Sequence, residues 1–234
     1  MKHNTRFNPT ANGPLHLGHV YAMLVNERLA HESGGKFYVR FDDRSETAAA
    51  IPEWRRLSII QQQKTDIQWL GIRVDGWATE SLLMDMVAKK LASLEWPYIQ
   101  EDPMEKRPYF VRLGPLGIPI HYVPQETAER VILDSSIGVT DIVRGEEFAT
   151  EVSFYSFLCH AWSYDVPQFI FLPRLTGRGG VDISKTNGNY TLADIRGSGY
   201  AADDIIKIVT KAALGSVPIG WHLHNLKPYP QVDL

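Results

Sequence analysis

The sequence has very little cysteine and no long apolar segment, and each absence excludes a class of protein. Cys159 is the single cysteine among 234 residues, which excludes an internal disulfide and any zinc site built from several thiolates. No apolar run reaches the roughly 20 residues that a membrane-spanning helix needs, and the polar N-terminus does not resemble a signal peptide. We therefore expect a cytoplasmic protein with no membrane partner and no zinc.

A large excess of either charge is also missing. The 24 basic and 27 acidic side chains leave a net charge of −3, so any RNA contact must come from a local patch rather than from overall charge. The sequence contains no internal repeat or low-complexity tract. Its length and its apolar content of 44% suffice for the core of one large or two small domains.

The most informative segment lies near the N-terminus and predicts a strand, a sharp turn and a helix. Residues 5–8 form a short strand, and residues 9–14 contain a proline and the sequence Asn-Gly-Pro, which is typical of a turn. From His16 onward, apolar residues recur at helical spacing. Gly18 and His19 fall with His16 in the first helical turn, where unpaired N–H groups and the helix dipole favour a phosphate.

A second strand is predicted at residues 36–41, after the Gly34-Gly35 pair that is typical of a helix end. Strand, helix and strand at this spacing form a βαβ unit, and parallel strands bind ligands at their carboxyl ends. Arg6 and Asp42 would then lie near one crevice. Asp42 and Asp43 also fit a solvated turn or a helix cap, so both interpretations stay open.

The rest of the chain predicts two amphipathic helices, a β-rich insert and a second set of strands and helices. The first helix spans 53–70, with inward side chains at Trp54, Leu57, Ile60, Ile67 and Leu70, and the second spans about 80–94. Residues 96–126 contain several prolines and little helical period, which predicts the reduced β-rich insert. The later elements are strands at 131–133, 139–143 and 169–172, helices at 147–162, 191–195 and 202–214, and a loop at 178–188.

Four sequence blocks carry motifs that are recognisable as a set. They are His16-Leu17-Gly18-His19 with its flanks Arg6-Phe7-x-Pro9 and Asn12-Gly13-Pro14-Leu15, then Arg40-Phe41-Asp42-Asp43, then residues 138–148, then Ser184-Lys185. Together they resemble the catalytic core of the class I aminoacyl-tRNA synthetases, specifically the glutamyl/glutaminyl subgroup. The resemblance covers roughly residues 5–200, with a gap across 96–130.

Three features depart from the family pattern. Arg44 replaces the threonine that usually follows the block Arg40-Phe41-Asp42-Asp43. Asp182 stands where the second signature of the class I enzymes, which contains Ser184-Lys185 here, usually has its first lysine. The interval 96–130 is too short for the family's acceptor-binding domain. In extent the chain is similar to the short glutamyl-queuosine tRNA(Asp) synthetases, and we expect no anticodon-binding domain.

The resemblance implies an α/β fold, with a Rossmann-like, HUP-type parallel sheet, helices on both of its faces and a small reduced insertion. We expect residues 1–95 to form the first half of the catalytic domain and residues 96–130 to form the short insertion. Residues 131–200 would form the second half, including the second signature loop. Residues 201–234 would form a C-terminal helix and tail.

The resemblance also implies roles for individual residues. The expected catalytic residues are His16, His19 and Lys185, and the expected ATP-binding residues are Pro9, Thr10, His16, Gly18, His19, Ser184 and Lys185. The expected amino-acid contacts are Arg6, Asn8, Thr10, Asp42, Arg144, Glu147 and Phe148. Mg²⁺ would accompany ATP on its phosphates, with no metal site in the protein.

The predicted amino-acid preference depends on Arg6 and Arg144. Two guanidinium groups that face one pocket can bind a carboxylate in bidentate fashion, which favours glutamate or a related acid. Arg144 could instead form an exposed salt bridge with Glu146 or Glu147. Its position at the end of a buried strand favours the ligand role.

The α-ammonium end of the pocket has fewer candidates. Asp42 would pair with the ammonium group, helped by Glu147. The family usually adds a tyrosine just before the 131–133 segment, but the nearest residues in register are Glu126 and Thr127, and Tyr122 is displaced. A related acid rather than glutamate therefore stays open.

These expectations predict ATP-dependent activation of an acidic amino acid as an aminoacyl-adenylate. The acceptor stays open between a tRNA acceptor end, a modified tRNA base and a small molecule. Asp182, Arg44 and the reduced insert favour one alternative, a nucleotide-binding or regulatory paralogue that has lost catalysis. A generic α/β nucleotide-binding domain with accidental motifs is a further alternative, and the oligomeric state is not predicted.

Overall fold

The chain begins with the predicted strand, turn and helix, and the computed structural model describes residues 1–94, 98–101, 108–113, 119–172 and 191–214. The strands are β1 (Thr5–Phe7), β2 (Phe37–Phe41), β3 (Gly76–Thr79), β4 (Tyr98–Glu101), β5 (Pro108–Leu113), β6 (Pro119–Pro124), β7 (Asp141–Gly145) and β8 (Gln168–Leu172). The α-helices are α1 (Leu17–Glu32), α2 (Glu46–Ala49), α3 (Glu53–Trp69), α4 (Met84–Ser93), α5 (Gln125–Ser136), α6 (Val152–Ala161), α7 (Leu192–Gly197) and α8 (Ala202–Leu214). Two 3-10 helices span Glu80–Leu83 and Glu146–Glu151.

Within the described residues, five strands form one sheet in the order β3-β2-β1-β7-β8, and every neighbouring pair is parallel. The order reverses at β1, because the chain builds outward to β3 first and returns to the other side of β1 with β7. Ligands of open α/β sheets bind at such a reversal, outside the carboxyl ends of the strands. The crevice between β1 and β7 is therefore where a site is expected.

Both faces of this sheet are covered. Successive residues of a strand point to opposite faces, and on β7 Ile142 and Val143 belong to two different buried cores. Val143 packs in a core with residues of α1, α7 and α8, whereas Ile142 packs in a core with residues of α5 and α6. The predicted α/β fold with helices on both faces is confirmed. Among the described helices, none is long and apolar enough to cross a membrane.

A second, antiparallel sheet comes in the sequence between β3 and β7, the strands that end the first half and begin the second half of the parallel sheet. β4, β5 and β6 pair in sequence order, and all three fall within the interval where the sequence predicts a reduced β-rich insert. The next helix, α5, starts at Gln125 and runs to Ser136. It therefore crosses the predicted boundary at residue 130 and connects the insert directly to the second half.

The predicted strand at 131–133 is wrong, because these residues lie inside α5. All three side chains are buried in the core that also contains Ile142. A short apolar run of this kind does not distinguish a strand from a buried helical segment by its period. The helix predicted from 147 to 162 also differs, since the 3-10 helix Glu146–Glu151 comes first and α6 begins at Val152.

Two side chains that were predicted to point inward on α3 are exposed. Trp54 is 73% exposed and Leu57 is 57% exposed, whereas Ile67 is fully buried. The buried residues of α3 all lie in its C-terminal half, where Gln63 occupies a core position. The segment predicted as one helix at 80–94 is a 3-10 helix followed by α4.

Gly35 marks a close contact between the end of α1 and the N-terminal segment. Gly34, just before it, has the positive φ of +73° that a helix end of this type requires. A Cβ atom on Gly35 would lie 1.9 Å from the carbonyl oxygen of His3, which is a backbone atom. The backbone of β1 and its approach therefore depend on this glycine.

We expect Gly35→Ala to lower the free energy of unfolding by about 1–3 kcal/mol or more, because the overlap can be relieved only by moving backbone. Gly197→Ala is the matched control, since a Cβ atom there would meet nothing within 4 Å. Urea denaturation of the two variants measures the difference. Equal stability of both variants would contradict the proposed backbone contact.

Candidate active site at the carboxyl edge of the sheet

His16 and His19 stabilise the first turn of α1 through their rings. His16 is the N-cap residue, and its Nδ1 accepts a hydrogen bond from the Gly18 N–H at 3.2 Å. His19 Nδ1 accepts from the His16 N–H at 3.2 Å, and the two rings stack with centroids 3.8 Å apart. A neutral ring that accepts at Nδ1 carries its proton on Nε2. Both imidazoles are thus set as Nε2–H donors at the positive end of the helix.

Gln63 of α3 holds the turn that precedes these histidines. Its side chain is fully buried, and Nε2 donates to the carbonyl oxygens of Thr10 at 3.0 Å and Gly13 at 2.8 Å. These two carbonyls belong to the segment between β1 and α1, outside the regular strands and helices. One amide group therefore fixes the position of the turn relative to α3.

The chain returns to this turn at Thr191. His16 and Thr191 form an antiparallel bridge, and the Leu192 N–H donates to the Leu15 carbonyl at 2.9 Å. Ser184 and Lys185, which the sequence predicts as ATP-binding residues, lie outside the described residues. The bridge nevertheless joins Thr191, which follows Lys185 by six positions, to His16 at the start of α1.

Asp42 follows β2, and its backbone contacts match the predicted helix cap. Its Oδ1 accepts from the backbone N–H groups of Arg44 at 3.1 Å and Ser45 at 2.8 Å, which is helix-capping chemistry before α2. Its Oδ2 accepts from the Thr10 hydroxyl at 3.4 Å, across the bridge between these two residues. One carboxylate oxygen thus accepts from backbone N–H groups, while the other contacts Thr10 in the turn between β1 and α1.

The other candidates for the α-ammonium end of the pocket lie on α5 or before it. Thr127 is buried, whereas Glu126 is mostly exposed and pairs with Arg130 at 3.6 Å. The side chain of Tyr122 lies outside the described residues. Arg44, which replaces the usual threonine, donates to Glu129 at 2.6 Å and so connects the end of β2 to α5.

Three arginines lie on one face of three neighbouring strands. They are Arg6 on β1, Arg40 on β2 and Arg144 on β7. Their strand neighbours Phe7, Val39 and Val143 belong to the core on the opposite face. The three guanidinium groups therefore share the side of the sheet that α5 and α6 cover.

Asp134 of α5 binds two of these arginines. Its Oδ1 accepts from Arg6 Nε at 3.0 Å and from Arg40 Nη1 at 2.6 Å, and its Oδ2 accepts from Arg6 Nη2 at 3.2 Å and from the Tyr155 hydroxyl at 3.0 Å. Arg40 Nε also donates to Glu80 at 3.0 Å. Burial alone would raise the pKa of the Asp134 carboxyl, but the charges of Arg40 and Arg6 outweigh it and hold that pKa far below its ordinary value.

Asn8, predicted as an amino-acid contact, belongs to the same buried group. Its Nδ2 donates to the Arg40 carbonyl at 2.7 Å and to Glu80 at 3.2 Å. Burial raises the pKa of Glu80, although the Arg40 charge opposes this shift. Two arginines and two carboxylates thus form a neutral buried cluster, in which Arg6 already has a carboxylate partner.

Arg144 differs from the other two arginines in its partner. Its Nη1 donates to Glu151 at 2.9 Å rather than to Glu146, and its Cζ lies 3.8 Å from the centre of the Phe148 ring. Burial lowers the pKa of Arg144 to about 10, and the nearby Arg6 charge adds to this effect, while Glu151 opposes it. The side chain of Glu147 lies outside what the structure describes.

Three residues that hold the candidate site through hydrogen bonds were not predicted from the sequence. Asp134 was not predicted, because it follows the segment 131–133 that was predicted as a strand and not as part of α5, and Glu80 was not predicted either. Gln63 had a detectable signal, since a polar residue at the spacing of Ile60 and Ile67 occupies an inward position of α3. The charge partners of Arg6 had no such signal, because Asp134 is 128 residues away in the sequence.

Comparisons with known proteins identify a family that the sequence matches. Residues 2–106 and 121–219 match the family described as tRNA synthetases class I (E and Q), catalytic domain. The chain is 25% identical, over 276 aligned positions, to glutamate–tRNA ligase 1 of Roseobacter denitrificans, an alignment that covers 91% of this chain and 61% of that protein. A segment of 72 residues is 42% identical to glutamyl-Q tRNA(Asp) synthetase of Rhodobacter capsulatus, covering 31% of this chain and 24% of that protein.

Solved structures share the fold. A glutamate-tRNA synthetase from Elizabethkingia anophelis superposes with a TM-score of 0.70 at 17% identity, covering 91% of this chain and 62% of that one. Tyrosyl-tRNA synthetase from Archaeoglobus fulgidus superposes with a TM-score of 0.58 at 17% identity, covering 81% of this chain and 61% of that one. The chain spans less than two thirds of the length of these relatives.

We expect Asp134→Asn to destabilise the fold by about 3–5 kcal/mol, because two buried guanidinium groups lose their shared negative charge. The pKa of Asp134 is depressed in the folded state, so its stabilisation is complete above about pH 4 and is lost as the pH falls below that value. Urea denaturation from about pH 3 to about pH 7 measures both effects.

Asp165→Asn is the control for this measurement, because it removes an exposed carboxylate. The control should keep both the stability and the acid dependence of the unaltered protein. Asp134→Asn should be less stable at neutral pH and should lose less stability on acidification. An unchanged acid dependence in Asp134→Asn would show that the cluster does not stabilise the fold through this charge.

Proposed function

Since this chain belongs to the family of class I (E and Q) tRNA synthetase catalytic domains, we propose that it activates glutamate, or a related acidic amino acid, with ATP. One oxygen of the amino-acid carboxylate attacks the α-phosphorus, the bond from that phosphorus to the pyrophosphate oxygen breaks, and pyrophosphate leaves. The product is an aminoacyl-adenylate. The matched relatives are longer than this chain. The proposed activity is therefore supported mainly by the arrangement of residues at the start of α1.

The observation that carries this proposal is the arrangement of His16 and His19 at the start of α1. Two Nε2–H donors and the positive end of a helix fit the phosphate oxygens on which charge develops during phosphoryl transfer. A donor of this kind is typically worth about 2–4 kcal/mol of barrier. The bridge from His16 to Thr191 supports a role for Lys185, which would add a positive charge at the β- and γ-phosphates.

Mg²⁺ would arrive on the ATP phosphates and neutralise part of their charge. Hard oxygen donors of the substrate suit this ion, and it needs no dedicated protein cage. Among the described residues, no group of three histidine, cysteine or acidic side chains is placed to hold a metal. The donor set at α1, with two imidazoles and backbone N–H groups, fits a phosphate rather than a cation.

We assign the side-chain carboxylate of the substrate to Arg144. Arg6 already shares the two oxygens of Asp134, whereas Arg144 is held by the more exposed Glu151. We assign the α-ammonium group to Asp42 Oδ2, which lies on the β2 side of β1 and accepts from the Thr10 hydroxyl at 3.4 Å. The preference for an acidic amino acid thus depends mainly on Arg144. Arg6 would attract the substrate carboxylate through its positive charge but would not bind it in bidentate fashion.

We propose a tRNA as the acceptor of the activated amino acid, which the similarity to two tRNA-charging enzymes supports. Transfer would expel AMP as the acceptor hydroxyl attacks the mixed anhydride. A small-molecule acceptor would be recognised by pyrophosphate exchange without any charged tRNA. The charge of −3 requires that RNA bind through a local surface.

Pyrophosphate exchange tests the proposed activation. Purified protein with ATP, Mg²⁺ and labelled pyrophosphate should form labelled ATP with glutamate and much less with glutamine or aspartate, with total tRNA present or absent. Lys185→Ala should abolish exchange, and the exposed Lys207→Ala is its charge-matched control. The absence of exchange with every amino acid, with and without tRNA, would overturn the proposal.

We expect Gln63→Leu to lower kcat by about tenfold or more. The Thr10 and Gly13 carbonyls lose their donor, so the turn between β1 and α1 shifts and moves the start of α1. The same change should cost about 1–3 kcal/mol of stability, since the buried Gly13 carbonyl and the half-buried Thr10 carbonyl lose their donor. Gln68→Leu, on the exposed side of α3, is the control. A variant that loses stability but keeps kcat would show that the turn does not depend on Gln63.

A further inference from the structure

Glu151 lies where the 3-10 helix after β7 ends, beside the arginine that we assign to the substrate. Its Oε2 accepts from Arg144 Nη1 at 2.9 Å and from Arg130 Nη1 at 3.2 Å. One carboxylate oxygen therefore serves two guanidinium groups on two different elements. Arg130 also pairs with Glu126 at 3.6 Å, so it is held in place without Glu151.

The pairing of Arg144 is easier to exchange than that of the other two arginines on this face. Asp134 is 1% exposed and binds Arg6 and Arg40 through both oxygens, so its removal would leave buried charges. Glu151 is 30% exposed in its side chain, and it contacts Arg144 through one oxygen only. A carboxylate that is already partly hydrated loses little when it leaves such a contact.

Resting on the proposed function, we infer that Glu151 is an internal competitor for Arg144 that sets the affinity of the site for acidic amino acids. In the empty site, its carboxylate occupies the guanidinium group that the substrate carboxylate needs. When the substrate binds, Glu151 gives up Arg144 and keeps Arg130. The Phe148 ring, 3.8 Å from Arg144 Cζ, holds the guanidinium group in place during this exchange.

The arrangement has a definite thermodynamic consequence. An acidic substrate exchanges one carboxylate on Arg144 for another, so only the difference between two similar contacts contributes to binding. A neutral analogue pays the same cost of displacing Glu151 and gains only a weaker hydrogen bond. Glu151 therefore weakens both substrates by the same factor and leaves the ratio between them unchanged.

Glu151→Gln tests this inference, because it removes the charge and keeps the shape and a hydrogen-bonding oxygen. We expect the KM for glutamate in pyrophosphate exchange, and the Kd for glutamate by calorimetry, to fall by about threefold to tenfold. The ratio of glutamate to glutamine activation should stay the same. If Glu151 instead positions Arg144, the substitution should raise both constants and reduce that ratio, which would overturn the inference.

Arg130→Met provides the second arm, because it removes the alternative partner of Glu151. Glu151 should then stay on Arg144, and the KM for glutamate should rise. In the Glu151→Gln background the same substitution should have a much smaller effect, limited to the lost field of one charge. Equal effects of Arg130→Met in the two backgrounds would contradict the competition.

Glu32→Gln is the matched control, since it removes an exposed carboxylate that pairs with Arg28 at the far end of α1. It should leave the KM and the Kd unchanged. If the unaltered protein neither binds glutamate nor supports exchange with any amino acid, the proposed function itself fails, and the inference falls with it. If the unaltered protein activates glutamate but Glu151→Gln does not lower its KM, the inference alone fails.

Discussion

The salt bridges of Asp134 are the interaction on which the sheet and its site depend. Arg6 and Arg40 lie on adjacent strands and face the same covered side, where two bare positive charges would repel each other in a medium of low dielectric constant. Asp134 reaches both from α5, and Glu80 supplies the second negative charge. The cluster is neutral as a whole, and this neutrality allows the strands β1 and β2 to pair under α5.

The same cluster determines which groups are left for a ligand. Since Asp134 and Glu80 satisfy Arg6 and Arg40, Arg144 is the one of these three arginines whose partner is partly exposed and easier to exchange. The proposed phosphate end of the site is separate from this charge arrangement, because it depends on the first turn of α1 and on Gln63. In the proposed function, one edge of the sheet would thus bind one anion at a helix start and a second anion at a single arginine.

The first βαβ unit and the strand-turn-helix segment within it were predictable, because both follow from local signals, whereas the order of the strands and the edge strand β3 were not predicted. Proline, glycine and helical spacing near His16 indicate where β1 ends and α1 begins, and the βαβ spacing places Arg6 and Asp42 at one edge. The segment 131–133 was not predictable from its period, and with α5 unrecognised the position of Asp134 was lost as well. Trp54 and Leu57 illustrate the same limit, because helical spacing does not show where a helix leaves the core.

The salt-bridge partners of the predicted site residues were not predictable for another reason. A salt bridge between Arg6 and Asp134 joins residues that are 128 positions apart, and neither sequence neighbourhood signals the other. The sequence offered Glu146 or Glu147 as an alternative partner for Arg144, whereas the 3-10 helix brings Glu151 to its guanidinium group. Local patterns identified which residues carry charge, and the folded backbone determined which charges meet.

The bridge between His16 and Thr191 has a consequence for how the molecule is made. It joins a residue near the start of the chain to one near its end, and contacts of such separation form late because a long loop must close first. The first turn of α1 therefore lacks this contact until the chain has been synthesised as far as α7. A chain truncated before residue 191 would leave the Leu15 carbonyl without the Leu192 N–H donor, however much of its sheet had formed.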